Sequence, residues 1–233
     1  MFRDVNRREK IVTQKLETEE KVVLLDVMDH YHGLTKKLKY SLKWAYESID
    51  FETSSHPNSS IVDSVTPKWV LKIDDDVILR AKSYEENLIN RYPNTKYLYF
   101  GRFQFRTKPV LKEGKWAEKK YQKDHYPVYA EGNTGYTIST DILKYLIQNF
   151  KNIKEYQNED ASMGIWLDDS PFREEVSYRT SKRIRNIGFK MPDLCVEGKG
   201  IEPRYSKSTI VLGHRLRPFE IWYCWEAMFG RLH

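Results

Sequence analysis

Three consecutive aspartates, Asp74-Asp75-Asp76, stand between the apolar runs WVLKI (Trp69–Ile73) and Val77-Ile78-Leu79. Adjacent carboxylates repel one another, and burial penalises each of them. A bound divalent cation removes that cost. Hard oxygen ligands at the carboxyl end of a strand suit Mn²⁺ or Mg²⁺ held jointly with phosphate oxygens. In extended backbone Asp74 and Asp76 point to one side, so one can face a ribose while the other faces metal and diphosphate. The competing reading is a solvated acidic turn, against which the apolar brackets argue. A second acidic pair, Glu159-Asp160, opens a stretch with helical character. Helix N-termini tolerate anions, so this pair either caps a helix or supplies a carboxylate that takes a proton from an attacking hydroxyl.

Smaller signals surround these two groups. Gly132 and Gly135 read as close backbone approach or positive φ beside a ligand, or as a plain turn. Trp116, Tyr126, Tyr129 and Tyr136 offer aromatic faces for a sugar, or core residues. His30 and His32, next to Asp29, imitate a metal cluster but read as surface or packing histidines. No GxxxxGK[ST], GxGxxG or HExxH pattern competes for a phosphate or a metal.

Positioning these groups falls to alternating strands and helices. A helix is expected over Arg7–Glu20 and a buried strand at Lys21–Leu25. A second helix follows over Leu34–Ser48, its stripe formed by Leu34, Leu38, Leu42 and Ala45. Phe51–Pro67 reads as a surface loop. Strands are expected at Trp69–Ile73 and Tyr97–Phe105, with helices over Glu85–Tyr92, Ile142–Phe150 and Asp160–Leu167. Ser139 and Asp141 stand ready to cap the third of the four helices after Arg7–Glu20. Such alternation predicts an α/β fold, a mixed sheet flanked by helices, in one domain spanning 1–233.

Composition agrees. The chain has 233 residues, 40% hydrophobic and 31% charged, which is globular rather than disordered. It carries no apolar run of membrane-spanning length and no signal-peptide core. The net charge of +6 reads as a solvated basic surface or as a match for an anionic partner, a nucleotide diphosphate or a nucleic acid, and charge alone does not choose between them. The densest basic stretch, Ser181–Lys190, is too short and too apolar at its end for an RNA arm, and the acidic triplet argues against nucleic acid. Cys195 and Cys224 form no zinc framework; they either pair or remain free thiols. Asn58-Ser59-Ser60 is a glycosylation sequon in a polar stretch.

The segments DVMDHYHGLTKKLKYSLKW, WVLKIDDDVIL, YPVYAEGNTGYTIS and NEDASMG together resemble, in order and spacing, the family 31 β-1,3-glycosyltransferases. That resemblance implies a GT-A-like fold, a UDP-sugar donor, Mn²⁺ (or Mg²⁺), inversion at the anomeric carbon, and a Golgi membrane protein acting on a glycan, glycoprotein or glycolipid. It assigns the donor site to Asp74, Asp75 and Asp76, with Asp76 as direct metal ligand. Asp29, Thr35 and Lys37 match an element near the nucleotide, and Arg106 with Lys115-Trp116 one ahead of the acceptor region. Tyr129, Gly132, Gly135 and Tyr136 fall in the YPVY…GY segment. Asp160 matches the catalytic base, with Glu159 beside it, and His214 a late metal-binding histidine. A neutral imidazole there would favour Mn²⁺. Gly33 and Ala161 depart from the family's Asn and Val. The family's first strand is expected upstream of Met1, and with it any membrane anchor. A member that binds sugar or nucleotide without catalysis is the alternative function.

Overall fold

The computed structural model describes residues 23, 25–28, 30–54, 67–103, 105, 107–186, 209–213, 216 and 218–229. The helix expected over Arg7–Glu20, the sequon at Asn58, and the expected site residues Asp29, Arg106 and His214 lie outside them.

Five α-helices run through the described residues: α1 (Leu34–Ser54), α2 (Ala81–Arg91), α3 (Thr140–Gln148), α4 (Glu159–Asp168) and α5 (Pro218–Phe229). Seven strands accompany them: β1 (Trp69–Lys72), β2 (Ile78–Leu79), β3 (Leu98–Gly101), β4 (Tyr136–Ser139), β5 (Ser177–Arg179), β6 (Ile184–Asn186) and β7 (Val211–Gly213). They form two sheets, one ordered β1-β4-β3-β5 and one ordered β2-β7-β6. Each is mixed. β4 runs antiparallel to both β1 and β3, while β3 and β5 are parallel. In the smaller sheet β7 is antiparallel to β2 and parallel to β6. The α/β arrangement with helix-flanked mixed sheets is as expected, but the strands are divided between two sheets.

Alternation along the central strands sends side chains into two cores. Tyr99 of β3 packs with Tyr136, Ile138, Ile142 and Leu143, against α1, α3 and α4. Leu98 and Phe100 turn the other way, to Tyr84 and Leu88 of α2 and Val211 of β7. Both faces of β3 are therefore covered, which is why LYF reads as a continuous apolar run. A hydroxyl pair ties the second face: Tyr84 Oη lies 2.8 Å from Thr137 Oγ1 on β4.

Of the expected strand Lys21–Leu25 only Val23 and Leu25 are among the described residues; neither is in a strand, and both line a cleft between α1 and β1, Val23 with 43% of its surface exposed. One other expectation changes. α1 continues to Ser54, through residues expected to form a loop. The sequence explains it, since no glycine or proline interrupts the chain between Leu34 and Pro57.

The helix that carries the acidic pair is the most enclosed. Every residue from Ala161 to Leu167 of α4 is buried, the pattern of a helix inside a core rather than on its surface. Thr35 Oγ1 of α1 lies 3.4 Å from Ser162 Oγ, and the Trp166 indole N–H donates to the Lys154 carbonyl at 2.8 Å. Groups at the N-terminus of α4 are thereby held on a rigid support.

Candidate active site

β1 ends at Lys72, and Asp74, Asp75 and Asp76 follow it into a cleft of about 740 Å³ between β1 and α1. One end of this cleft is apolar, lined by Leu34, Leu38 and Leu42 of α1 and Val70 of β1; the other carries the three aspartates, Lys37, Lys72 and Glu159. Asp75 is exposed, and Asp74 and Asp76 are half-buried.

Lys72 joins the two acidic groups that the sequence separates. Its ammonium donates to Asp74 Oδ1 at 2.6 Å and to the Gly132 carbonyl at 3.3 Å. Glu159 Oε1 lies 2.7 Å from the same nitrogen, off the line of a hydrogen bond. Burial alone would lower the Lys72 pKa, but the charges of Glu159 and Asp74 outweigh it and hold the ammonium above its ordinary value. The aromatic ring of Tyr136 also faces this ammonium, its centroid 5.9 Å from the nitrogen.

Asp160 is set apart from this ion cluster. Its Oδ1 accepts the Ala161 N–H at 2.8 Å, and the Gly132 N–H also donates to its carboxylate. Burial, and next the neighbouring charge of Glu159, push its pKa up to about 6 despite those hydrogen bonds. A carboxylate poised there is a better proton acceptor near neutral pH than an ordinary aspartate.

Two glycines make the closeness possible. A Cβ on Gly132 would lie 2.8 Å from Glu159 Oε1 and 3.1 Å from the Asp160 Cβ. Gly135 adopts φ +74°, and a Cβ there would meet the Lys72 carbonyl at 2.6 Å. The short helical turn Gly132–Thr134 thus lies directly under the acids, where a larger residue would push them away.

The family model described as galactosyltransferase matches residues 58–175, a span that holds both acidic groups. The chain belongs to the galactosyltransferase family, glycosyltransferase family 31. This family member is 28% identical over 166 residues to a human UDP-GalNAc:beta-1,3-N-acetylgalactosaminyltransferase 2, covering 71% of the chain and 30% of the relative. It is 29% identical over 193 residues to a mouse beta-1,3-galactosyltransferase 6, covering 82% and 54%. A hydroxyproline O-galactosyltransferase of Arabidopsis thaliana is 36% identical over 132 residues, covering 54% and 19%. The chain therefore spans about a third of the length of the N-acetylgalactosaminyltransferase relatives it matches.

Other residues singled out in this galactosyltransferase-family sequence fall in different places. Lys37 shares the cleft with the aspartates. Thr35, 2% exposed, faces Ser162 instead. Trp116 is 49% exposed, and Tyr129 is half-buried beneath the Lys108 ammonium. Tyr126 and Tyr136 are core residues; Tyr136, 1% exposed, packs edge-to-face on Tyr99. Of these four aromatics, Trp116 and Tyr129 are the two with surface open to a ligand. Cys224 is in a disulfide; Cys195 lies outside the described residues.

Two residues beyond those expectations shape the site. Lys72 is a charge inside an otherwise apolar strand, which is itself a signal. Asn158, just before α4, donates to the Trp116 carbonyl and to Tyr126 Oη, both at 3.2 Å, and so ties the acidic pair to the aromatic segment. Among the described residues no three His, Cys, Asp or Glu side chains are grouped as a metal site.

Proposed function

We propose that this chain is the catalytic domain of an inverting β-1,3-glycosyltransferase of GT-A type. It moves galactose or an N-acetylhexosamine from a UDP-sugar to a hydroxyl of a glycan, glycoprotein or glycolipid. The observation that carries the reading is the Lys72 clamp, which holds Asp74 of the acidic triplet and Glu159 to one cleft, with Asp160 the next residue of α4.

In this account the cleft beside Asp74, Asp75 and Asp76 receives the nucleotide diphosphate, with Lys37 on its α1 wall. Asp76 and its neighbours supply hard carboxylate oxygens that fit Mn²⁺ or Mg²⁺, most of whose remaining ligands would be phosphate oxygens and water. Such an ion, when bound, offsets the charge that develops on the leaving diphosphate. Asp160 accepts the proton of the acceptor hydroxyl as that oxygen attacks the anomeric carbon. A single displacement with one base inverts the configuration. Lys72 offsets part of the charge of Asp74 and Glu159, and what remains of the Glu159 charge keeps Asp160 easier to protonate than an ordinary aspartate. Trp116 and Tyr129 give the acceptor sugar an apolar face. His214, Asp29 and Arg106 keep the roles that the family resemblance gives them.

The disulfide at Cys224 supports an oxidising compartment such as the Golgi lumen. No helix among the described residues is long and apolar enough to cross a membrane.

The test is UDP release from UDP-galactose, UDP-N-acetylglucosamine and UDP-N-acetylgalactosamine, with glycan acceptors present, in Mn²⁺ and in chelator. Acceptor-dependent release that chelator abolishes is the expected result. UDP binding with no release from any donor would identify a binding-only member instead.

A further inference from the structure

A second cleft, of about 580 Å³, reaches Gln157 on the segment that leads to the acidic pair and takes no part in the mechanism above. Five lysines line it (Lys36, Lys112, Lys115, Lys119 and Lys120) against three glutamates.

Two of those glutamates are already engaged. Glu118 is 1% exposed, and its carboxylate accepts the backbone N–H groups of Lys120 at 2.6 Å, Tyr121 at 3.3 Å, and Gln157. It clamps the lysine-bearing loop to the segment that leads into α4. Glu155 receives the Lys39 ammonium at 3.3 Å. Two of the lysines meet backbone oxygen, Lys112 donating to the Tyr121 carbonyl and Lys120 to the Glu155 carbonyl, both at 3.0 Å; others lie over aromatic rings. The Lys115 ammonium lies 4.5 Å from the Tyr31 ring centroid and 5.7 Å from that of Trp116, and Lys36 lies 5.7 Å from that of Tyr40. The cleft is therefore electropositive, on a loop held in place by a buried carboxylate.

Its position gives the charge a use. Gln157 lines the cleft, Asn158 reaches from the next position to the Trp116 carbonyl, and Asp160 follows on α4. An acceptor whose reacting hydroxyl sits at Asp160 and whose ring meets Trp116 extends toward these lysines. We propose that this cleft is an acceptor subsite for an anionic sugar, one carrying a carboxylate, sulfate or phosphate close to the reacting hydroxyl. The proposal rests on reading Asp160 as the acceptor end of a transferase site. Clustered ammonium groups in a partly enclosed cleft favour such a group, most strongly at low salt.

The probes are methyl β-galactopyranoside, its 6-sulfate, its 6-phosphate and the matching uronate, titrated against the full chain by NMR. The charged probes should bind about fivefold to tenfold tighter than the neutral one. Their advantage should shrink between about 50 and 300 mM salt, and it should vanish in Lys36→Ala/Lys119→Ala. Both side chains are exposed, so the variant's unfolding temperature should match wild type, and Lys36→Arg/Lys119→Arg should retain the preference. The ranking of the three anions identifies the chemistry read. Equal affinity for neutral and charged probes, or an advantage that survives the alanine variant, would overturn the subsite. UDP release is a separate readout: its absence with every acceptor would sink the transferase reading, whereas release with no anion preference sinks only the subsite.

Discussion

Asp160 and Lys72 show how neighbouring charges in one site are driven in opposite senses. Lys72 gains two acidic partners and holds its proton more firmly; Asp160 loses water, gains a like charge, and is pushed up to about 6. For Asp160 the folded pKa lies above the ordinary 3.8. The folded state binds more protons than the unfolded one between those values. Stability is therefore lost as pH rises from about 4 through about 6, and at pH 7 the ionised carboxylate is a net cost. Asp160→Asn keeps the shape and removes the charge. It should raise the unfolding temperature at pH 7 by about 2–4 °C, with the gain vanishing near pH 4; calorimetry at the two pH values measures it, and a loss at pH 7 contradicts the assignment of cost. The aspartate triplet was legible because charge clustered between apolar runs is rare without a reason. Lys72 was written in the same strand and passed as part of it, since its second partner, Glu159, reaches it only through the fold. Tyr136 was legible as an aromatic that either faces a sugar or packs in the core; the sequence left both open, because an aromatic looks the same whether it faces a ligand or Tyr99, and the fold places it in the core.

At the scale of elements, the site is held by a strand pair and a buried helix. β4 pairs with β1 from Trp69↔Ser139 to Lys72↔Tyr136, and Gly135 turns the chain into β4 against the Lys72 carbonyl. Gly135→Ala would meet both a positive φ and a backbone contact that cannot move aside. It should cost about 1–3 kcal/mol or more, read as a lower denaturation midpoint; unchanged stability would show that this turn is not constrained as described. α2, α3 and α4 were readable within a few residues, because each carries apolar residues at helical spacing, whereas α5 was not expected: the C-terminal third read as short strands and loops. The division into two sheets was not readable. Leu98, Tyr99 and Phe100 alternate between two cores rather than between core and water, so their pattern carries no sign of which strand lies on either side.

At the scale of the whole molecule, two clefts among the described residues differ in charge: one, beside β1, carries the three aspartates, and the other, reaching Gln157, carries five lysines. The net charge of +6 alone did not reveal that division, since only the fold gathers lysines from α1 and from the 112–120 loop into one place. Nucleotide and metal that bind only the native acidic cleft stabilise it by mass action. At about a hundredfold excess over its dissociation constant, UDP with Mn²⁺ should raise the unfolding temperature by about 5 °C or more. Chelator or Asp76→Ala should remove that shift, and a shift that persists in Asp76→Ala would place the metal elsewhere. The central claim, that the acid held at the start of α4 is the base, is tested most directly by turnover as a function of pH in wild type and Asp160→Asn. With the donor and acceptor that support release, wild-type turnover should fall below about pH 6 as Asp160 takes up its proton. Asp160→Asn should be slower by about 10²-fold or more, lack that acidic limb, and bind UDP as wild type does. A variant that turns over at near wild-type rate with the acidic limb intact would contradict the account.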